Sequence, residues 1–337
     1  MRARSNPPNR FEAQAREFLD SPPPVGLRLY EEETHEILSH NESPDLPFRW
    51  SLNPDRGCFH ACAYCYARPT HEYWGFGSGT DFESNIVVKV NAPTRLRETF
   101  MKPSWRGEII AFSGNTDCYQ PVEASYRVTR ACLEVCAEFR NPVGLITKAA
   151  LIARDIDVLQ QLQRDAWVRV FFSIPFADNE TARKVEPQDP SFTSRLEAMR
   201  RLSDAGIPTG VSVAPVIPGL NDDDMPDILA RAREAGATQA TYILLRLTGS
   251  VESVFLERMQ AAFPDRVRKI THRLQEVRGG SLTETRFFKR HHGEGTYWKM
   301  VEQLFTAGCR KAGFPVEREE PTPNTFRRPL SEQTRLF

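Results

Sequence analysis

The sequence predicts an α/β fold in which six parallel strands alternate with helices, followed by a helical extension. Three observations carry this. Short apolar runs alternate with amphipathic stretches and, after a longer first step, recur at roughly 25–40 residues, the length of a βα unit. Gly206 and Gly236 stand directly after two of the later helical stretches, as stop signals do. Beyond Leu247 the pattern is helical only. Six units fall short of a closed eight-stranded barrel, so right-handed crossovers and strand twist predict an open, curved sheet.

Residues 1–47 hold seven prolines, five arginines and nine acids. Proline breaks helices and ladders alike, so this lead-in is expected to be partly disordered with little regular structure beyond a short helix across 10–18. Residues 48–52 read as the first strand, ended by Asn53-Pro54 turn chemistry. Residues 66–90, rich in glycine and aromatics in their first half, are expected to cover the site, and a helix at 92–101 completes the unit. The next strands fall at 108–113, 143–147, 167–173, 209–214 and 240–247, with helices at 123–139, 151–164, 191–205 and 222–235 between them. Three further helices follow at 252–263, 266–278 and 297–312, and from Pro321 the chain reads as extended. The organisation is then a lead-in (1–47), a core (48–250), a helical extension (251–316) and a tail (317–337).

The chain has 337 residues, 40% of them hydrophobic, enough for a substantial core. Zero net charge gives no strong overall field toward nucleic acid or membrane. The zero hides an imbalance of −4 over residues 1–47 and +5 over 264–299, the latter a candidate binding face. No apolar run suits a transmembrane helix, and the N-terminus lacks the apolar region of a secretion signal. Seven cysteines, an odd number in a large chain, argue against a disulfide framework and fit a reducing cytoplasm.

Three of those cysteines, Cys58, Cys62 and Cys65, follow the first strand at spacings of four and three. Thiolates bind soft metals, and three on one tight loop can cap three irons of a four-iron cluster, leaving the fourth iron open. The competing reading is zinc, with Cys118 or a histidine as fourth ligand; structural zinc commonly uses two separated cysteine pairs, and a second loop pair is missing here. Beyond the carboxyl ends of parallel strands is where ligands gather, so the loop is suitably placed.

Cys-x3-Cys-x2-Cys with Tyr64 before the last cysteine resembles the radical S-adenosylmethionine (SAM) superfamily, and the stretch from Asn53-Pro54 to His71 resembles its spore photoproduct lyase branch. The resemblance covers roughly residues 48–250 and implies a partial (β/α)6 TIM-like barrel. It implies a [4Fe–4S] cluster on Cys58, Cys62 and Cys65, with SAM at the open iron through its amino and carboxylate groups. Reductive cleavage then gives methionine and a 5′-deoxyadenosyl radical, with a one-electron donor such as flavodoxin or ferredoxin as partner. Tyr64 and Tyr66 are expected near the cluster and adenine.

Further candidates end the later strands. Asn115, Thr116 and Asp117 either meet the SAM ammonium or form an ordinary polar turn. Lys148 either pairs with the SAM carboxylate, as a similar lysine does in the branch, or is solvated. Ser173 either bonds SAM or satisfies a backbone carbonyl. The apolar strand and Gly219 turn from Val213 to Asp222 loosely match the superfamily's adenine platform. Cys118 is either a catalytic hydrogen donor or a structural thiol. In the branch the hydrogen-donating cysteine lies just before a Thr/Ser-Asp pair, whereas Cys118 follows Thr116-Asp117, which tells against thymine-dimer repair. Cys132 and Cys136 lie on an apolar helical stripe and read as core, and Cys309 reads as buried.

Substrate classes left open are a nucleic acid, in a lyase-type repair or a modification, and a small molecule or peptide. A non-catalytic iron–sulfur or zinc protein is the third class. The stretch Arg286-Phe287-Phe288-Lys289-Arg290-His291-His292 interleaves cations and aromatics, which either bind phosphate and base or put the rings in the core and the charges in water. The final residues, Gln333, Thr334, Arg335, Leu336 and Phe337, resemble peptides that dock on the bacterial sliding clamp, a likeness that chance also produces in five residues.

Overall fold

A computed structural model describes residues 26–315 and 323–329. The helix expected at 10–18 and the terminal motif at 333–337 lie outside the described residues. The strands are β1 (Arg28–Glu32), β2 (Leu38–His40), β3 (Trp50–Leu52), β4 (Asp55–Arg56), β5 (Asn85–Lys89), β6 (Ile110–Phe112), β7 (Val143–Thr147), β8 (Val168–Ser173), β9 (Thr209–Val216) and β10 (Gln239–Leu244). The helices are α1 (Thr80–Ser84), α2 (Ala92–Met101), α3 (Glu123–Tyr126), α4 (Val128–Glu138), α5 (Ile156–Asp165), α6 (Asn179–Val185), α7 (Phe192–Asp204), α8 (Met225–Glu234), α9 (Val251–Ala262), α10 (Val267–Val277) and α11 (Gly295–Ala312).

Among the described residues, seven strands join in the order β10-β9-β8-β7-β6-β3-β2. The six expected strands are parallel and neighbour one another in chain order, and β2 adds an antiparallel edge on β3. Each βα step therefore moves one strand along, giving the open partial barrel. Alternate residues of β7 and β8, such as Val143, Leu145, Val170 and Phe172, are buried in one core with the inner faces of α4, α5, α7 and α8.

Three local features go beyond the expectations. The lead-in is not without regular structure, since β1 and β2 lie within its described part. The covering segment contains a strand, β5, whose five residues are all buried and which pairs with β1 in parallel and β4 in antiparallel fashion. The helix expected across 123–139 is two, because Arg127 between them takes φ +53°. The small sheet β1-β5-β4 forms the platform from which the cysteine loop departs.

The described tail segment has no regular structure yet is docked. Phe326 sits against Phe100 and Phe139, at 5.8 Å and 6.3 Å between ring centroids. Arg328 donates to the carbonyls of Phe100, Lys102 and Trp105 at 3.0, 2.7 and 3.2 Å, capping the carboxyl end of α2. Gly107, at φ +75°, leaves space for this ring, since a Cβ there would lie 2.1 Å from that of Phe326. Phe326→Ala is expected to lower stability by roughly 1–3 kcal/mol, less than for a fully buried ring because Phe326 is half-buried. An unchanged urea midpoint would show that the segment contributes nothing to the fold.

Candidate metal centre

The cysteine loop begins at Gly57, whose φ of +74° and contact with the Asn85 carbonyl leave no space for a side chain. It is then held from both sides. Gln120, fully buried after β6, donates to the Gly57 carbonyl at 3.1 Å and accepts from Phe59 N at 2.9 Å. Arg68, with no exposed surface, donates twice to the Cys62 carbonyl at 3.1 and 2.7 Å and to the carbonyls of Ser78 and Gly79. It also pairs with Glu83, at 2.5 Å. Arg258 of α9 donates to the Ala61 carbonyl at 2.6 Å and pairs with the same Glu83. Two guanidiniums on one carboxylate thus pin consecutive loop carbonyls.

Around the thiols lies a buried charge network. Cys62 Sγ is 3.0 Å from Asp189, which is 2.9 Å from His60 Nδ1. Glu186 accepts from Tyr64 and from Arg195 at 2.6 Å, and Lys148 Nζ lies 4.0 Å from Glu186 and 5.5 Å from the Tyr64 ring centre. Burial alone would raise Asp189, but His60, Lys148 and Arg195 hold it well below the usual carboxylate range. Burial opposes charge on His60 and Lys148 too, yet Asp189 with Cys58 keeps the imidazolium, and Cys62 with Asp189 and Glu186 keeps the ammonium. Burial pushes the Cys62 and Cys65 thiols up, with Asp189 adding for Cys62 and Cys58 for Cys65.

That arrangement fits a cluster. Three thiols from one rigid loop feel one another, and free thiolates there are disfavoured by burial, a cost that cationic iron removes. Cys62, Glu186 and Asp189 also bring three ligand-type atoms within 4.8 Å, but Arg195 and His60 already engage the two carboxylates. Cys118, weighed from the sequence as a fourth ligand, is fully buried beside Asp117, Ser113 and Glu123.

The other expected residues gather at the same carboxyl-end mouth, with different tasks. Asp117 accepts from Thr147 Oγ1 at 2.6 Å, Tyr119 N at 2.9 Å and Lys148 N at 2.8 Å, so its carboxylate ties the ends of β6 and β7. The Asn115 amide bonds Asn53, and the Thr116 hydroxyl bonds the Asp55 carbonyl. Ser173 donates to the Ala214 carbonyl at 3.0 Å, the backbone-satisfying role of the two open to it. Tyr66, 48% exposed, donates to the Gly114 carbonyl. Cys118 takes the structural position, its amide on Ser113 and its carbonyl on Thr129. Cys132 and Cys136 are core, while Cys309 is only half-buried. Phe287 and Phe288 do not face the core: both are exposed, at 49% and 66%. Sequence reasoning missed His60, Arg68, Glu83, Glu186, Asp189, Arg195 and Arg258. Among the described residues, no helix is long and apolar enough to cross a membrane.

Comparison with known proteins agrees with this site. Residues 52–232 match the radical SAM superfamily, and the chain belongs to it. Its cofactors are therefore a [4Fe–4S] cluster and SAM. An uncharacterised protein of Mycobacterium tuberculosis is 37% identical over 243 residues, covering 70% of this chain and 72% of that protein. A radical SAM Nalpha-GlyT isomerase of Pseudomonas phage M6 is 25% identical over 227 residues, 66% of this chain and 45% of the phage protein. The fold resembles spore photoproduct lyase complexed with dinucleoside spore photoproduct, with a TM-score of 0.62 at 16% identity, covering 84% of this chain and 79% of that one.

Two outcomes follow from the loop's supports. Arg68→Ala leaves the Cys62 carbonyl unmatched and Glu83 with Arg258 alone, so iron bound per chain is expected to fall several-fold, with Arg68→Lys only partly restoring it. Iron analysis after anaerobic reconstitution reads this, and full occupancy in the alanine variant would remove the clamp argument. Burial raises Asp55, under the loop, from 3.8 to about 7. The folded chain then keeps a proton that the unfolded chain releases, so stability falls as pH rises between these values. Lys89, lowered by burial from 10.5 to about 8, acts oppositely above that range. Asp55→Asn is expected to flatten the fall, read as urea midpoints at about pH 5 and about pH 7; equal slopes in both proteins would count against it.

Proposed function

We propose that this chain is a cytoplasmic radical SAM enzyme that acts on a nucleic acid, in repair or modification. The observation that supports it most is the trio Cys58, Cys62 and Cys65 on one pinned loop, at the carboxyl-end mouth beside Lys148. Bound there, the cluster and SAM supply one-electron cleavage of the sulfonium and a 5′-deoxyadenosyl radical that abstracts hydrogen. The chain's own residues supply the rest. Cys58, Cys62 and Cys65 ligate iron as thiolates. His60, Arg68, Arg258 and Lys148 set cations around those sulfurs, which favours their deprotonated form.

Lys148 is the counter-ion we assign to the SAM carboxylate. Its amide is fixed by Asp117, and its ammonium is shared loosely with Glu186 at 4.0 Å, so it can turn to a stronger partner. Tyr64, buried and bonded to Glu186, walls the pocket, and Tyr66 lines its rim. Asn115 and Thr116 present backbone to the SAM ammonium while their own bonds hold the turn. Ser173 acts through the backbone of β9. The core of residues 48–250 works with the extension, since Arg258 of α9 reaches into the loop. An external one-electron carrier such as a flavodoxin or ferredoxin completes the system.

The nucleic-acid reading draws on the exposed rings of Phe287 and Phe288 within the basic segment, and on the dinucleoside ligand of the similarly folded spore photoproduct lyase. Cys118, which follows rather than precedes Thr116-Asp117 and is fully buried, tells against photoproduct lysis itself.

Anaerobically reconstituted protein with dithionite and SAM is expected to yield 5′-deoxyadenosine, and Cys58→Ala, Cys62→Ala or Cys65→Ala to abolish it. Lys148→Ala is expected to raise the SAM concentration needed by about tenfold or more, as for loss of a charge-assisted pair. Methionine and 5′-deoxyadenosine absent from the unaltered protein would end the proposal.

A further inference from the structure

The carboxyl end of β10 holds a cation that no acid grips among the described residues. Arg246, two residues past β10, is half-buried, its Nε is enclosed and bonded to nothing, and among the described residues no acid pairs with it. The cations beside it are committed. Arg290 grips Asp45 through Nε at 2.8 Å and Nη2 at 2.5 Å. Lys289 reaches Glu294 at 3.0 Å, and Arg286 is paired with Glu284. Arg278 gives its guanidinium to the carbonyls of Leu245, Lys289, Arg290 and His292. His291 Nδ1 lies 3.7 Å from the same Asp45. Burial and the neighbouring Arg246 charge push His291 down to about 4, so it is neutral, and Arg246 and Arg290 face the single Asp45 carboxylate, which leaves the local field positive. Burial and the Arg290 charge both disfavour charged Arg246, a cost that an incoming anion would remove.

The same place presents free aromatic faces. Tyr66 is 48% exposed at the rim. Phe287 lies with Arg290 stacked 4.9 Å from its ring centre, and its other surface is open. Phe288 is 66% exposed at φ +62°, a strained conformation for a bulky residue. Asp45, accepting from its amide at 3.1 Å, and the four carbonyl bonds from Arg278 hold it there. A loop that holds strain to expose a ring, on the same Asp45 whose charge reaches Arg246, suits a ligand with both a flat face and a negative charge. A carboxylate metabolite would use the cation and leave the rings idle; a phosphate-linked base uses both.

We propose that Arg246 binds a backbone phosphate of a single-stranded nucleic-acid substrate while Phe287 and Phe288 stack on its bases. This rests on the nucleic-acid reading above. It places recognition on the strand-end loop, with Arg246 as the phosphate ligand and Lys289 and Arg290 as internal braces.

The test uses anaerobically reconstituted holoenzyme and a fluorescein-labelled oligothymidylate, followed by fluorescence anisotropy over a salt series. Arg246→Gln is expected to weaken binding by about tenfold at low salt and to reduce the slope of log affinity against log salt by about 0.7. Phe288→Ala is expected to weaken binding by about fivefold or more with the slope unchanged, because stacking releases no counterions. Arg246→Lys keeps the charge and should keep the slope, which preserves the test if the glutamine variant misfolds. Unchanged affinity and slope in Arg246→Gln would overturn the proposal. So would a fall in its SAM affinity with oligonucleotide binding intact, since the guanidinium would then serve the cofactor. Protein that forms 5′-deoxyadenosine but does not bind the oligonucleotide sinks the subsite and spares the radical chemistry; protein that forms none fails the parent reading separately.

Discussion

The structure depends on a carboxylate shared by two arginines. Glu83 holds Arg68 and Arg258, and each also donates to a carbonyl of the cysteine loop. A loop of this kind has few ladder bonds of its own, so its shape must come from side chains. The guanidinium fork suits that task, because it binds several carbonyls in fixed directions and cannot lose its proton. The same two charges lie close to the sulfurs, so shape and electrostatics come from one device.

A second consequence of burial is that acids and bases around the thiols are balanced almost pair by pair. Asp189 is matched by His60, Glu186 by Arg195, and Lys148 stands between them. Isolated, any one of these charges would be strongly unfavourable inside the chain. Together they form a polar wall on one side of the sulfurs, while the core seals the other. This division explains why Asp117 and Ser173, chosen from the sequence as ligands, turn inward: they hold strand ends, and the strand ends hold the pocket.

The sequence made the main sheet legible because each parallel strand is an apolar run closed by turn chemistry, and the cysteine spacing is local. What was not legible depends on pairing at long range. The Ile86-Val87-Val88 run of β5 is visible, but only β1 and β4, neighbours in space, make it a strand. The break at Arg127 is a single left-handed residue in an otherwise helical pattern. Arg68 looked like one more residue of the motif, and its partner Arg258 lies far along the chain, in a helix that reads as mere extension. Asp189 and Glu186 sit in a Pro-flanked connection whose only sequence signal is two acids between two helices. Arg246 had no signal, since an unmatched cation is recognised only when every neighbour is known to be taken.

The outer edge of β10 has one further bearing on the molecule. Leu244 N donates to the carbonyl of His291 at 3.1 Å, so the carboxyl end of the last strand is bordered by a connecting segment rather than by another strand of the sheet. An open barrel leaves two rims, and a bare rim is a template on which a second copy of the chain can add a strand. The basic segment fills part of that template itself, so the loop that carries Phe287 and Phe288 also guards the molecule against edge-to-edge self-association.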